Sequence, residues 1–513
     1  MANEKYDVVV IGGGAAGLAG ALTLARARRS VLVVDAGTPR NAPAGHVHNY
    51  LAREGTPPGE LLTIGRTEVT GYGGEIVSGT VVSAEAHDHG FRVALDDGTA
   101  VLARRLLVTT GLIDELPDVP GVAQQWGNDV LHCPYCHGWE VRDQAIGVLA
   151  TGPMAVHQAL LFRQWSADVT LFRHTGPDLT DEQIEELTAR GVAVVDGEVA
   201  AWEETGVRLV SGEVVPRQAL VVAPLFTARS DVLAGLGLKP TEMEVAGHVI
   251  GTYIAADPTG ATEVQGVWVA GNVADPRAQV ISAAAGGLNA AAMINADLVT
   301  EDTRVAVEVH RMFSEQAWEE RYRAKPAIWS GQPNQQLVAE ATDLAPGTAL
   351  DVGSGEGADA LWLAARGWQV TGVDISTVAL ARAADHAKAA GEQVRWVHAD
   401  LTADAPFEER FDLVSAHFMH LPPAQREELY ARLADLVAPG GTLLVVGHHP
   451  SDLHTSAHRP PMPEMFFTAE QIANSLDHGQ WEVLVTDTRP RQAKLHEGGE
   501  IAVHDAILRA RRR

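Results

Sequence analysis

The chemistry of this chain starts from Cys133 and Cys136, the two cysteines among its 513 residues, set in His132-Cys133-Pro134-Tyr135-Cys136-His137. One pair cannot form the disulfide framework of a secreted scaffold, whereas Cys-x-x-Cys spacing lets two thiols cycle with a disulfide. At a helix start, backbone N–H groups and the helix dipole favour a thiolate and make the pair fast in exchange. Zinc would need four ligands, and no second Cys-x-x-Cys or His-x-His stands in suitable context. No metal site is expected.

Two glycine loops carry a different chemistry. In Gly12-Gly13-Gly14-Ala15-Ala16-Gly17, Gly12 permits a tight turn, Gly14 lets backbone approach a pyrophosphate and Gly17 lets helix pack on strand. Asp35 then closes the second strand, where a carboxylate accepts ribose hydroxyl bonds. A matching plan follows Thr348, with Asp351 near the end of the strand, Gly353, Gly355 and Gly357 in the loop and Asp374 closing the next strand.

The elements that position these residues follow from the pattern of apolar positions. The β-branched run Tyr6 to Ile11, an Ala/Leu-rich helix over Leu18 to Arg28 and a strand at Val31 to Val34 make a βαβ unit. Ala349 to Val352, Ala358 to Arg366 and Gln369 to Val373 make another. A third begins at Ala145 to Leu149, with a helix over Met154 to Trp165 and a strand near Asp168 to Phe172, but its glycine loop is damaged. The charged helical sequence Glu308 to Arg323 and the run Trp329-Ser330-Gly331-Gln332-Pro333-Asn334 separate two halves, with a boundary near Asp302.

Composition limits the partners. At 513 residues the chain has room for three or four folding units. Lys+Arg 39 against Asp+Glu 66 leaves −27, a field that repels polyphosphates and anionic lipid. Neither nucleic acid nor a membrane is expected as partner. The start lacks a basic n-region and apolar core, so a cytoplasmic protein is expected.

Three segments add a resemblance to the first half. Leu106-Leu107-Val108-Thr109-Thr110-Gly111 resembles the "ATG" strand of two-dinucleotide flavoprotein reductases. Gly266 to Asn272 resembles their second FAD segment, and Gln279-Val280 opens a helix like the one that ends beneath the isoalloxazine. With the cysteine motif between them, residues 1 to about 300 resemble the low-molecular-weight thioredoxin reductase family. The resemblance implies an α/β, two-dinucleotide-binding flavoprotein fold. A discontinuous FAD domain over 1–115 and 244–302 would flank a nicotinamide-type domain with the cysteines over 116–243. It implies FAD held by Gly12, Gly14, Gly17, Asp35, Gly111, Gly271, Asn272, Gln279 and Val280. Cys133 would be the exchange thiol, Cys136 the thiol nearest the flavin, and His137, where reductases have Asp, the proton carrier. The resemblance also implies a homodimer.

The chain departs from a reductase where NADPH would bind. The loop reads Ala150-Thr151-Gly152-Pro153-Met154-Ala155, and the following stretch Phe172-Arg173-His174-Thr175-Gly176 lacks the expected run of basic residues. With CPYCHGWE and Thr38 to His48 it is similar instead to the dithiol oxidases of gliotoxin and holomycin biosynthesis. Those enzymes close a small-molecule dithiol into a disulfide and pass electrons through FAD to oxygen. His46 and His48 could line that pocket.

The second half resembles class I S-adenosylmethionine methyltransferases, a Rossmann-like domain expected over 346–513 behind linker or lid helices at 303–345. The resemblance assigns Asp351, Gly353, Gly355, Gly357 and Asp374 to S-adenosyl-L-methionine, Asp400 to its adenine side, and His417 to the edge where donor and acceptor meet. His420, His448 and His449 emerge at that edge too, and Trp318, Tyr322 and Trp329 lie in the lid segment. The expectation is a bifunctional enzyme that oxidises a dithiol and methylates a related thiol. The alternatives are an NADPH-dependent thioredoxin reductase with an unrelated methyltransferase attached, and a flavin-bearing scaffold in which the methyltransferase alone turns over.

Overall fold

The structure, a computed structural model, describes residues 5–88, 90–245, 247–404, 406–454, 462–494 and 500–513. The chain divides into two compact units, Met1–Asp302 and Thr303–Arg513.

In the first unit the strand Lys5–Ile11 is buried on both faces, as its continuous Val8-Val9-Val10 run requires of a parallel-sheet strand. It pairs in parallel with Val31–Asp35 on one side and Ala100–Val108 on the other. The strand Ala100–Val108 changes partner along its length. Its first part pairs antiparallel with Gly90–Leu95, and its last three residues pair in parallel with Val267–Val269. The chain thus returns, more than 150 residues later, to the sheet it left, which makes this domain discontinuous.

Between the two passages, a five-stranded parallel sheet runs in the order 193–195, 169–172, 146–149, 219–221, 130–131. A four-stranded sheet joins it to the rest: Leu112–Glu115 lies antiparallel to Leu225–Ala228, which continues through His248–Tyr253 to Thr241–Val245. The expected join at 243/244 falls inside Thr241–Val245, because that strand is half of a hairpin and cannot be divided.

Two close approaches lock the dinucleotide half. A Cβ on Gly17 would lie 1.9 Å from the Gly12 carbonyl oxygen, and one on Gly287 would lie 1.9 Å from the Ala16 carbonyl oxygen. The helix Ala15–Arg26 is thereby pressed between its own strand and the helix Val280–Met312.

The second unit is one seven-stranded sheet in the order 394–398, 369–374, 348–352, 411–417, 437–448, 500–512, 481–494. The first five strands are parallel and Glu500–Arg512 is antiparallel to both its neighbours. The helix Gln335–Ala341, expected within a linker, buries Leu337 and Ala341 against Ala349 and Leu363. Its apolar residues are core rather than connection.

Gly287→Ala is expected to destabilise the first unit by about 1–3 kcal/mol, the usual cost of overpacking. The measurement is the midpoint of the first unit's transition in chemical denaturation of the full chain. An unchanged midpoint would show that the two helices can separate freely.

Candidate functional site

A cavity of about 1200 Å³ in the first unit runs from the glycine loop to the cysteine pair. Ligand pockets are commonly about 300–1,000 Å³, so a dinucleotide and a further small molecule both have room. Gly12, Gly14, Asp35, Gly111, Gly271, Asn272, Gln279 and Val280 line it together with Cys133, Cys136 and His137. Gly17 lies behind the loop and serves packing. The fit to a dinucleotide is local: Gly12 has φ +110° and faces Thr109, whereas a Cβ on Gly14 would meet nothing within 4 Å. The open side of the loop is therefore at Gly14, where a pyrophosphate must approach.

Other cofactor-side residues are held by the chain itself. Asp35 accepts bonds from the Gly13 and Gly37 amides, both at 3.2 Å, and pairs with Arg66. The Asn272 amide nitrogen donates to the carbonyls of Asp275 and Ala278, at 3.1 and 2.9 Å, leaving its Oδ1 as the acceptor available to a ribitol hydroxyl.

The cysteine pair begins one turn of helix, Pro134–His137, with Cys133 as N-cap and Pro134 in the first position, where a missing N–H costs nothing. A single turn has little macrodipole, so the helix-dipole expectation gives way to individual contacts. The Cys133 thiol is drawn down to about 7, first by the Cys136 thiol donating to it, then by the Cys136 and Tyr135 amides and the Arg40 charge, against its burial. The same thiol–thiol bond and burial push Cys136 up. Arg40 is fixed: it grips Asp114 through Nε at 2.8 Å and Nη2 at 2.7 Å and lies 5.2 Å from the Phe226 ring centre.

Three imidazoles adjoin the pair. Burial lowers the pKa of His137, against Glu140, so it is neutral at pH 7 and can take a proton. His132 is also pushed down by burial, and its Nδ1 bonds the Val222 carbonyl at 3.1 Å. His48 lies between Glu54, at 2.6 Å, and Glu140, at 3.4 Å, while Asn49 donates to the Tyr135 carbonyl at 2.6 Å. The segment around His46 to Glu54 is thus pinned to the thiol helix.

The expected weakness of the nicotinamide side has a structural counterpart. Ala150 is buried where a first glycine would stand, and Arg173 is already paired with Asp178 and Asp196. His174 accepts from the Val199 amide at 3.0 Å.

In the second unit Gly353, Gly355 and Gly357 all take left-handed φ, +68°, +54° and +90°. That conformation favours glycine. Asp374 accepts from the Gly355 and Ser376 amides at 2.8 and 2.9 Å. Asp351 is buried, and its Oδ2 has no hydrogen-bond partner among the described residues. A glycine cradle with an unanswered acidic oxygen fits a polar, cationic small molecule such as S-adenosyl-L-methionine.

The remaining expectations fall unevenly here. Asp400 turns one oxygen onto Thr402, at 2.8 Å from its amide. His417 has both ring nitrogens engaged, Nδ1 by Asp359 at 2.7 Å and Nε2 by Ser415 at 3.0 Å, so it braces the cradle and offers no free nitrogen to a donor. His420 stacks on His448 with ring centres 4.4 Å apart. Tyr322 and Trp329 rest on the loop: a Cβ on Gly355 would lie 3.1 Å from both the Tyr322 hydroxyl and the Trp329 ring nitrogen. Sequence reading gave no role to Arg40, Asp114, Arg66 or Asp359, whose partners are remote in sequence.

The Cys133 assignment predicts that alkylation of the native, reduced protein rises with pH through about 7 and levels above it. Arg40→Met is expected to make it about threefold slower at pH 6.5, the effect of half a pH unit, and Arg40→Lys to restore most of the rate. Iodoacetamide kinetics read by mass spectrometry check both, and a profile centred at an ordinary thiol value would contradict the assignment.

Comparison with known proteins agrees with this geometry. The family described as Pyridine nucleotide-disulphide oxidoreductase matches residues 6–287, and the family described as Methyltransferase domain matches residues 349–441. The chain is 33% identical to the thioredoxin reductase sirT of Leptosphaeria maculans over 56% of its own length and 93% of that protein. It is 30% identical to the thioredoxin reductase tcpT of Claviceps purpurea over 52% of its length and 86% of that protein. Among solved structures, HlmI superposes with a TM-score of 0.55 at 49% identity, covering 59% of this chain and 95% of that one. The chain therefore belongs to the pyridine nucleotide-disulphide oxidoreductase family and carries a methyltransferase domain behind that module.

Proposed function

We propose that the first unit oxidises a small-molecule dithiol to a disulfide, and that the second unit transfers a methyl group from S-adenosyl-L-methionine to a related thiol. The observation that carries the first half is the single cavity joining the dinucleotide loop to Cys133 and Cys136. The engagement of Arg173 by Asp178 and Asp196 supports a dithiol over NADPH as the electron source, because an incoming 2′-phosphate would face two carboxylates.

In the oxidised form of the pair, one substrate thiolate attacks the Cys133 sulfur and Cys136 leaves as a thiolate. The second substrate thiolate then attacks the substrate sulfur of the mixed disulfide, and Cys133 leaves. The substrate loses two electrons and the cysteine pair gains them. His137, neutral at pH 7, can accept a proton from the incoming thiol. Arg40 and the Tyr135 and Cys136 amides stabilise Cys133 as leaving thiolate. FAD, when bound, supplies a two-electron acceptor that dioxygen can reoxidise with formation of peroxide.

For methyl transfer the chain aligns donor and acceptor and excludes water. Gly353, Gly355 and Gly357 allow close backbone approach, Asp374 offers its carboxylate to ribose hydroxyls, and Tyr322 and Trp329 close over Gly355. Sulfur is the proposed acceptor because one chain joins this domain to a dithiol centre, and methylation and oxidation both end a free thiolate.

The test is anaerobic mixing of the flavin-loaded protein with a small dithiol and, separately, with NADPH. Bleaching of the flavin by the dithiol, then peroxide on admitting air, is the expected result, and Cys133→Ser is expected to abolish it. Bleaching by NADPH with none by the dithiol would favour thioredoxin reduction. Incubation with S-adenosyl-L-methionine and a monothiol, followed by mass spectrometry, should give a product heavier by one methylene group.

A further inference from the structure

The donor cradle of the second unit holds more acid than it answers. Four carboxylates converge on it: Asp351, Glu356, Asp359 and Asp374. Glu356 is satisfied by Arg382, at 2.8 Å, and by the amides of Ile328 and Trp329. Asp359 is satisfied by His417 and by the Asn334 amide at 2.6 Å. Asp374 accepts two backbone amides. Asp351 alone of the four keeps a buried oxygen with no partner among the described residues, and it is 3% exposed.

The groups that face Asp351 are of its own sign or already engaged. Its strand lies between those ending in Asp374 and His417. Asp359 stands on the helix Ala358–Ala364 that follows the loop, whose Ala360 amide gives Asp351 its one favourable contact. Arg382 spends its second nitrogen on the carbonyls of Tyr322 and Lys325, and His386 on the Glu356 carbonyl. Tyr322 is held protonated by burial and by Asp374. A carboxylate so placed is expensive to ionise until a positive charge arrives.

We propose that Asp351 holds a proton while the cradle is empty and releases it when a cationic methyl donor binds, so that the site favours the sulfonium donor over the neutral thioether product. S-adenosylmethionine carries a sulfonium and an ammonium against one carboxylate, a net charge of about +1, and S-adenosylhomocysteine lacks the sulfonium. Burial and the Asp359 and Asp374 charges push Asp351 well above the usual carboxylate range, in keeping with this. The sign follows by linkage: a group protonated when free and ionised when bound makes affinity rise with pH, up to tenfold per pH unit, until the empty site loses its proton, and constant above that. The inference rests on the methyltransferase reading of the second unit.

The experiment is calorimetric titration of the full chain with S-adenosylmethionine and with S-adenosylhomocysteine at about pH 7, each in phosphate and in Tris. The expected result is a heat that depends on the buffer, corresponding to release of close to one proton for S-adenosylmethionine and less than half of one for the product. Asp351→Asn, close to isosteric, should abolish the buffer dependence and narrow the preference for the donor at least threefold. Buffer-independent heat, equal release with both ligands, or release that persists in Asp351→Asn would each overturn the proposal. Absence of any heat with either ligand would instead remove the donor-site reading beneath it, and the proposal with it. The comparison of the two ligands on the unaltered protein decides the matter even if the variant fails to fold.

Discussion

A half-buried thiolate needs contacts that cannot drift away: the Cys136 thiol and the Cys136 and Tyr135 amides lower the Cys133 pKa most, and Arg40 adds a positive charge. Arg40 could supply it from a flexible side chain only at an entropic cost; Asp114 and Phe226 hold the guanidinium in place. Asp114 stands on the strand Leu112–Glu115, just after the crossover from the dinucleotide sheet, and Phe226 stands on its antiparallel neighbour. The charge is therefore set by the ribbon that also positions the inserted sheet. The same ribbon brings the thiol helix beside the glycine loop, within one cavity.

The two nucleotide-type sheets solve one problem in different ways. Both end their second strand in aspartate. Asp35 is neutralised by Arg66, a side chain from a neighbouring helix, and so sits in a balanced environment. Asp374 accepts from backbone amides with no arginine or lysine bonded to it among the described residues, and burial raises its pKa. One cradle suits a ligand carrying phosphates, the other a ligand carrying a net positive charge. The loops differ in backbone as well, since Gly12 is the one residue of Gly12–Gly17 with a left-handed φ whereas Gly353, Gly355 and Gly357 all have one, so loop shape and charge balance discriminate together.

What could be read from the sequence was what is local. The glycine loops, the strands that lead into them and the Cys-x-x-Cys turn are each written in fewer than ten consecutive residues, and the structure has strands, loops and helices there. The return of Val267–Val269 to the first sheet was legible through resemblance, since no periodicity links residues so far apart. The Arg40–Asp114 grip was not legible: its partners lie 74 residues apart, and arginine and aspartate are ordinary surface residues. The helix Gln335–Ala341 reads as connection because it is short and half polar, yet Leu337 is fully buried. His417 stood out as a histidine at the strand edge, but sequence could not tell that Asp359 and Ser415 occupy both its nitrogens.

The pairing of Leu112–Glu115 with Leu225–Ala228 also has a mechanical side. The chain passes into the inserted module and back out through these two strands, bonded rung to rung over four residue pairs. Drawing the module away from the sheet would have to stretch two bonded backbones side by side, whereas twisting it about the ribbon axis stretches neither and need break no rung. The joint is thus stiff in extension and compliant in torsion, and reorientation of the cysteine-bearing half, where it occurs, is a rotation about that axle.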